Sequence, residues 1–251
     1  MKIEKPLNNC VALVTGGNGG LGLAMAVALR EAGAAVIVWG RDQEKLNQAQ
    51  TYDLTPFQVD VASEESIHNG FKMIKKHFSR LDILINNAGI YEDQELTELS
   101  RESWEHLISN NLSSVFLCSQ NAARMMKTQR KGKIINVGSM YSLFGHPHSI
   151  GYTTTKTAIL GLTRALAAEL GPWNIQVNAI LPGWFETAIN GSLPETSRGD
   201  EIRKRTPLGR WGQPQDIGPL AVFLSSSNAD FITGAMIPID GGYSISDRAL
   251  W

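Results

Sequence analysis

Two cysteines in 251 residues, Cys10 and Cys118, are too few for a disulfide framework. Both fall in apolar segments and read as buried free thiols of a cytoplasmic protein. Charge of one sign is also missing: 23 Lys+Arg against 24 Asp+Glu leave a formal net charge of −1. That balance offers nucleic acid no basic surface. No apolar run approaches the roughly 20 residues that a membrane-spanning helix needs. The opening residues, MKIEKPLNNC, carry no apolar core of the signal-peptide kind. Neither a membrane nor a nucleic acid is expected as partner. Linkers, repeats and low-complexity stretches are absent too, and one domain over residues 1–251 is expected.

What the chain does have is alternation. Short β-branched runs stand at 11–15, 35–39, 57–60, 82–88, 133–139, 175–182 and 235–240. They are apolar on both sides, as strands covered on both faces are. Between them, segments of helical period lie near 20–32, 42–50, 63–79, 101–127, 152–170 and 214–226. The pattern predicts a doubly wound α/β fold, a seven-stranded parallel sheet with helices on both faces and right-handed crossovers. Residues 183–213 break the rhythm with Gly, Pro and charge and carry no strand signal. They follow a strand's carboxyl end, where open α/β sheets bind ligands, and read as a substrate lid.

Tyr152 and Lys156 stand four apart in YTTTK (152–156), so a helix there stacks them on one face, a turn apart. An ordinary phenol has a pKa of about 10, and a neighbouring ammonium is expected to pull it down far enough for proton transfer. Upstream, TGGNGGLG (15–22) follows the first strand and opens the first helix. Gly16, Gly20 and Gly22 permit a tight turn whose amides approach a pyrophosphate at the helix N-terminus. A tight turn that binds nothing is the alternative, and the αβ pattern that continues beyond it speaks for the dinucleotide site. At the end of the second strand a carboxylate would accept from an adenosine 2′-hydroxyl and repel a 2′-phosphate. Gly40 and Arg41 stand there instead, and a guanidinium clamps phosphate with two parallel hydrogen bonds. NADP(H) is favoured over NAD(H), with NAD(H) left open; Arg41 could equally stack on adenine as a solvated side chain.

TGGNGGLG (15–22), NNAG (86–89), Asn111 in SNNLSSVF, Ser139 in INVGS, YTTTK (152–156) and LPGWFET (181–187) together resemble the motifs of short-chain dehydrogenases/reductases. The resemblance extends to IDGG (239–242), essentially the whole chain. It implies a Rossmann-type fold and NAD(P)-dependent interconversion of a secondary alcohol and a ketone by hydride transfer. It also implies roles. Tyr152 is the general acid and base; Lys156 lowers its pKa and holds the nicotinamide ribose. Ser139 donates to the substrate oxygen, and Asn111 holds a water linking Lys156 to solvent. Asp60 and Val61 contact adenine, Asn87 the adenosine ribose side, and the Phe185 backbone with Thr187 the nicotinamide carboxamide. Asn18, Gly19, Leu21, Ala88, Gly89, Pro182 and Gly183 complete the cofactor set. Plainer roles also fit: Asn111 bridging backbone, Asp60 stabilising the next helix start, Thr187 as a turn hydroxyl. One departure lies near the adenosine end, where only about 15 residues separate Arg41 from Phe57, fewer than the family usually has.

The substrate pocket is expected from Glu92–Gln94, Met140–Ile150 and the lid from Trp184. Ser139, Tyr141, His146, His148, Tyr152 and Trp184 are its candidate contacts. This mixture of rings and neutral donors suits a small polyol, sugar acid or cyclic ketone. GSM (138–140) and PLGRWGQPQDI (207–217) resemble members acting on gluconate-like or deoxygluconate-like keto acids. A 3-oxoacyl reductase is the alternative. A non-catalytic NAD(P)-binding regulator would have lost Ser139, Tyr152 or Lys156; a cofactor-free lyase would have lost the glycines and Lys156. A sugar-nucleotide epimerase would need a longer chain. His146 and His148 lack a third ligand, so no metal is expected. Helix 152–170, with Ala158, Gly161, Ala165, Ala167 and Ala168, allows close helix approach, and the resemblance implies a homotetramer.

Overall fold

All the apolar runs pair in parallel into one seven-stranded sheet in the computed structural model, which describes residues 5–245 and 247. The strands are β1 (Val11–Thr15), β2 (Ala35–Gly40), β3 (Thr55–Gln58), β4 (Ile83–Asn86), β5 (Gly132–Val137), β6 (Ile175–Pro182) and β7 (Met236–Ile239). Their order across the sheet is β3-β2-β1-β4-β5-β6-β7, the doubly wound topology expected. Helices α1 (Gly20–Glu31), α2 (Gln43–Ala49), α3 (Glu64–Phe78), α4 (Arg101–Ile108), α5 (Ser114–Gln129), α6 (Ile150–Leu170), α7 (Ser197–Arg205) and α8 (Gly218–Ser225) follow in chain order.

Side chains of a strand alternate faces, and here both faces are dry. Ala12, Val14, Val36 and Val38 pack against Met25 and Leu29 of α1 and Ala221 and Leu224 of α8. Val11, Leu13, Ile37 and Trp39 pack on the opposite side against Ile67 and Phe71 of α3 and Cys118 and Met126 of α5. Each such buried aliphatic side chain contributes about 1.5–3 kcal/mol, which is why strands this short hold a sheet this wide. Cys118 is a buried free thiol, pushed up to about 12 by desolvation.

Two expectations need correction. The third strand is Thr55–Gln58, not 57–60. It takes in Pro56, which an edge strand tolerates because one side of its backbone has no ladder partner. The helix expected over 101–127 is α4 and α5, joined by a π-helical turn at Ser109–Ser113. There Asn110 Nδ2 donates to the His106 carbonyl and Ser114 Oγ to the Asn110 carbonyl, so side chains serve backbone groups where the ladder slips. The segment 183–213, which carries no strand signal, contains α7. Thr196 caps α7 by accepting from Gly199 N, while Asp200 in its first turn and Arg203, Lys204 and Arg205 in its last suit the helix dipole. The shortened β2–β3 connection is α2 plus one 3-10 turn, fastened where Arg30 pairs with Asp53.

Among the described residues, no helix is long and apolar enough to cross a membrane.

Candidate active site

The strand order reverses between β1 and β4, so the loops leaving their carboxyl ends diverge and open a crevice. The glycine turn lines one side. Gly16 has φ +63°, a left-handed conformation that an L side chain adopts at a cost. α1 starts at Gly19 with no side-chain cap and no acidic residue in its first turn, so its leading amides are free for an anion. The space beside Gly19 is open to 4 Å, room that a Cβ would begin to fill. Across the crevice, Asn87 Nδ2 donates to the Thr15 and Gly16 carbonyls at 3.0 and 3.2 Å. Thr15 Oγ1 accepts from the amides of both Asn87 and Ala88 at 3.0 Å. Asn87 thus fastens the NNAG loop to the glycine turn. These residues fit a dinucleotide pyrophosphate.

At the adenosine end the Asn18 side chain lies over the bare backbone of Gly40. A Cβ there would lie 2.3 Å from Asn18 Nδ2, so any larger residue would have to displace the Asn18 amide. The nearest one along the chain, Asp42, is spent on capping α2, its Oδ1 accepting from Glu44 N and Lys45 N. Arg41 is exposed, and its guanidinium has no partner among the described residues. Val61 is buried at the far wall, and Asp60 Oδ1 accepts from Ala62 N. The helix start beyond it is capped by Ser63, not by Asp60. Pro182 ends β6, and Gly183 N donates to the Ile239 carbonyl, carrying the chain to Phe185 and Thr187. Phe185 is buried, with its carbonyl accepting from Asn190 Nδ2 at 2.7 Å.

Ser139 leaves β5, while Tyr152 and Lys156 stand on the first two turns of α6. Ser139 Oγ accepts from Tyr141 N at 3.1 Å, which leaves its proton and second lone pair for the Tyr152 hydroxyl it hydrogen-bonds. Lys156 is 4% exposed; its Nζ donates to the Val137 carbonyl at 2.8 Å and lies 5.7 Å from the Tyr152 ring centroid. A Cβ on Gly89 would meet Asn111 Oδ1 at 3.1 Å and Lys156 Nζ at 3.5 Å, so these two groups close around a bare backbone. Asn111 is fully buried: its Oδ1 accepts from Ile90 N and its Nδ2 donates to Ile90 O, both at 2.8 Å. Bridging backbone is therefore what Asn111 does in this structure.

The expected lowering of the Tyr152 pKa is corrected. Desolvation pushes the phenol up to about 12, against the smaller downward effect of the Ser139 hydrogen bond. The same burial drags Lys156 down from its ordinary 10.5 to about 8. Sequence spacing brought the ammonium to the phenol but said nothing of how little water surrounds either.

Rings build the substrate side. Tyr141 is 5% exposed and packs edge-on against Tyr152 (6.2 Å between centroids) and Trp184 (6.1 Å), with His146 stacked on it at 4.7 Å. Trp184 continues to Trp211 and Tyr243 at 5.4 and 6.4 Å, so the 183–213 segment packs on the Tyr141–Tyr152 rings through aromatic contact. Tyr141 Oη and Trp184 Nε1 are buried there without a hydrogen-bond partner among the described residues. His148 faces outward at φ +61°, its carbonyl accepting from Gln94 N. It joins the pocket through backbone only. Three residues escaped the sequence reading. Thr15 ties two cofactor loops, Tyr91 packs edge-on to Tyr152 at 5.1 Å with its hydroxyl on Ser149 Oγ, and Ser142 bonds to two catalytic segments. Only Thr15 had a legible signal, as the last strand residue before the glycine turn.

A family model described as Enoyl-(Acyl carrier protein) reductase matches residues 16–244. The chain belongs to the short-chain dehydrogenase/reductase family. Gluconate 5-dehydrogenase of Gluconobacter oxydans (strain 621H) is 37% identical over 247 residues, covering 96% of either chain. The 3-oxoacyl-(acyl-carrier-protein) reductase of Aquifex aeolicus (strain VF5) is also 37% identical over 247 residues, covering 96% of this chain and 99% of its own. A solved gluconate 5-dehydrogenase from Burkholderia cenocepacia J2315, in complex with NADP and tartrate, matches with a TM-score of 0.90 at 34% identity, covering 97% of this chain and 98% of that one. This short-chain dehydrogenase/reductase is an oxidoreductase of CH–OH and carbonyl groups that works with a nicotinamide cofactor.

Lys156 carries a buried charge with no carboxylate against it among the described residues. At pH 7 it is protonated both folded and unfolded, and the cost of burying the charge is fully present. Between about 8 and 10.5 the unfolded chain holds the proton more tightly, so stability rises with pH. Lys156→Met is expected to abolish turnover yet raise stability at pH 7 by about 1–2 kcal/mol. In urea titrations that gain should shrink as pH passes from about 8 towards 10.5.

Proposed function

We propose that this enzyme interconverts a small hydroxylated acid and its keto form, of the gluconate or deoxygluconate kind, with NADP(H) preferred. The observation that carries the reading is the convergence of Ser139, Tyr152 and Lys156 beside packed rings that hold two buried donors without a partner among the described residues. Substrate hydroxyls would accept from Tyr141 Oη and Trp184 Nε1, whereas an alkyl chain would leave both buried and unsatisfied. The relatives named as gluconate 5-dehydrogenases support the same substrate class. A 3-oxoacyl reductase is the second reading, favoured by equal identity to the Aquifex protein.

In this reading a bound nicotinamide supplies or accepts the hydride. The chain's own residues place the substrate and handle one proton. Tyr152, protonated at neutral pH because burial holds its phenol high, gives its proton to the carbonyl oxygen during reduction. Ser139, its hydroxyl steadied by Tyr141 N, donates to the same oxygen as negative charge grows there. Lys156 stabilises the phenolate left behind. Asn18, Gly20, Leu21, Gly22, Asn87, Ala88 and Gly89 hold the dinucleotide, and Asp60 and Val61 face its adenine. Phe185 and Thr187 face its carboxamide. The lid, about residues 183–213, belongs to one domain of 1–251 and covers substrate. A cytoplasmic location fits its two unpaired cysteines.

The test is a panel of sugar acids, polyols, cyclic ketones and 3-oxoacyl thioesters, followed by nicotinamide absorbance. Turnover of sugar acids above the rest supports the reading; exclusive turnover of the thioesters overturns it. On the best substrate, Tyr152→Phe should cost about a hundred- to ten-thousand-fold in kcat with NADPH affinity kept. Alcohol oxidation by the parent enzyme should climb from pH 7 to 9 as the high phenol pKa is approached, while ketone reduction does not.

Arg41, unpartnered beside a carboxylate-free Gly40, carries the cofactor preference. Arg41→Ala should raise the KM for NADPH about ten- to a hundredfold and leave that for NADH within about twofold. Equal changes would remove the assignment.

We further propose a homotetramer. α6 turns Gly161, Ala165 and Ala168 outward, and Phe116 of α5 and Phe223 of α8 stand 46% and 40% exposed. Light scattering should give four times the 27.4 kDa chain mass; a monomer mass refutes it.

A further inference from the structure

Ser139 and Lys156 reach the crevice on different elements, with the whole 140–149 loop between them. One side chain ties them together. The Ser142 hydroxyl accepts from Ser139 N at 3.2 Å and donates to the Lys156 carbonyl at 2.6 Å. A hydroxyl has one proton, so this arrangement has one polarity: lone pair to the amide, proton to the carbonyl. Ser142 ends a 3-10 turn, Met140–Ser142, and is 7% exposed, so water does not compete for either bond. The surroundings allow it little slack. A Cβ on Gly138 would lie 3.1 Å from Ser142 Oγ and 2.5 Å from Leu181 Cδ2, so any larger residue before Ser139 would press on both side chains.

We infer that Ser142 is a positioning residue of the reaction: by locking the Ser139 backbone to the Lys156 backbone, it sets the distance between the serine hydroxyl and the ammonium on either side of the Tyr152 phenol. Ser142 acts through these neighbours, not on the substrate. Its hydroxyl is engaged by the two backbone bonds, one of them to the amide of Ser139, whose own hydroxyl bonds Tyr152. The inference rests on the roles proposed above for Ser139, Tyr152 and Lys156. Small errors of placement at such a centre are costly, on the order of a hundredfold in rate for about 1 Å.

The experiment compares Ser142→Ala, Ser142→Cys and Ser142→Thr with the parent enzyme, on whichever substrate of the panel it turns over. Ser142→Ala should lower kcat about ten- to a hundredfold while NADPH binding, read by fluorescence, changes less than about twofold. The pH profile of oxidation should move to higher pH, because the Ser139 bond is what holds the Tyr152 phenol down. Ser142→Thr, which keeps the hydroxyl, should recover both kcat and profile. A purely structural Ser142 would lower the melting temperature and leave kcat and profile in place, and that result overturns the inference. Should Ser142→Ala lose NADPH binding and a cooperative melt, Ser142→Cys decides: a weak donor should give a reduced kcat and a shifted profile, and parental values overturn the inference. Undiminished turnover in Tyr152→Phe would instead strike the proton-donor assignment, a separate result from the Ser142 series.

Discussion

The hydrogen bond from the Lys156 ammonium to the last carbonyl of β5 governs the crevice. A charge this deep costs stability, and it is held in one place by a backbone atom that cannot turn away. Its value lies in what it leaves free. No carboxylate stands against it among the described residues, and the ammonium lies 5.7 Å from the ring of the phenol a turn earlier on α6. The neighbouring arrangements are consequences: Gly89 stays bare so that Asn111 and Lys156 can both approach, and Asn111 grips the Ile90 backbone from a π-helical turn.

A parallel sheet makes that concentration practical. Every strand ends on the same edge, so the glycine turn, the NNAG loop, the serine turn and the lid arise at neighbouring points from distant parts of the chain. Buried polar bonds then join loop to loop. Thr15 and Asn87 link the glycine turn to the NNAG loop, and Ser142 links the serine turn to α6 at the Lys156 carbonyl. The sheet provides the coarse placement, and these side chains remove the remaining play.

Much of this was legible in residue order. β6 occupies the same 175–182 run that its apolar residues mark out, because a strand buried on both faces is mostly apolar, with Gln176 and Asn178 admitted on their own hydrogen bonds. β3 was displaced because Pro56 reads as a boundary, which it is not at a sheet edge. The π-helical turn at 109–113 leaves no trace in periodicity, since a slipped ladder changes hydrogen bonds and not residue types. α7 was hidden because it buries only Gly199 and Ile202, too little for an apolar stripe. Tyr152 and Lys156 were visible as a pair, but burial is a property of what packs around them, and so the direction of the phenol's shift was not. Ser142 was invisible for a related reason: its two partners are backbone atoms, which any sequence supplies.

One feature of α6 reaches further than its role as a shelf for two side chains. Its N-cap, Ser149, makes no capping bond; the hydroxyl is turned to Tyr91, and no acidic residue follows in the first turn. The partial positive charge at the head of a 21-residue helix is therefore left unscreened by its own sequence, three positions from the phenol. Some helix stability is forgone, and the Tyr152 phenol stands within the first turn of an end that carries a permanent partial positive charge.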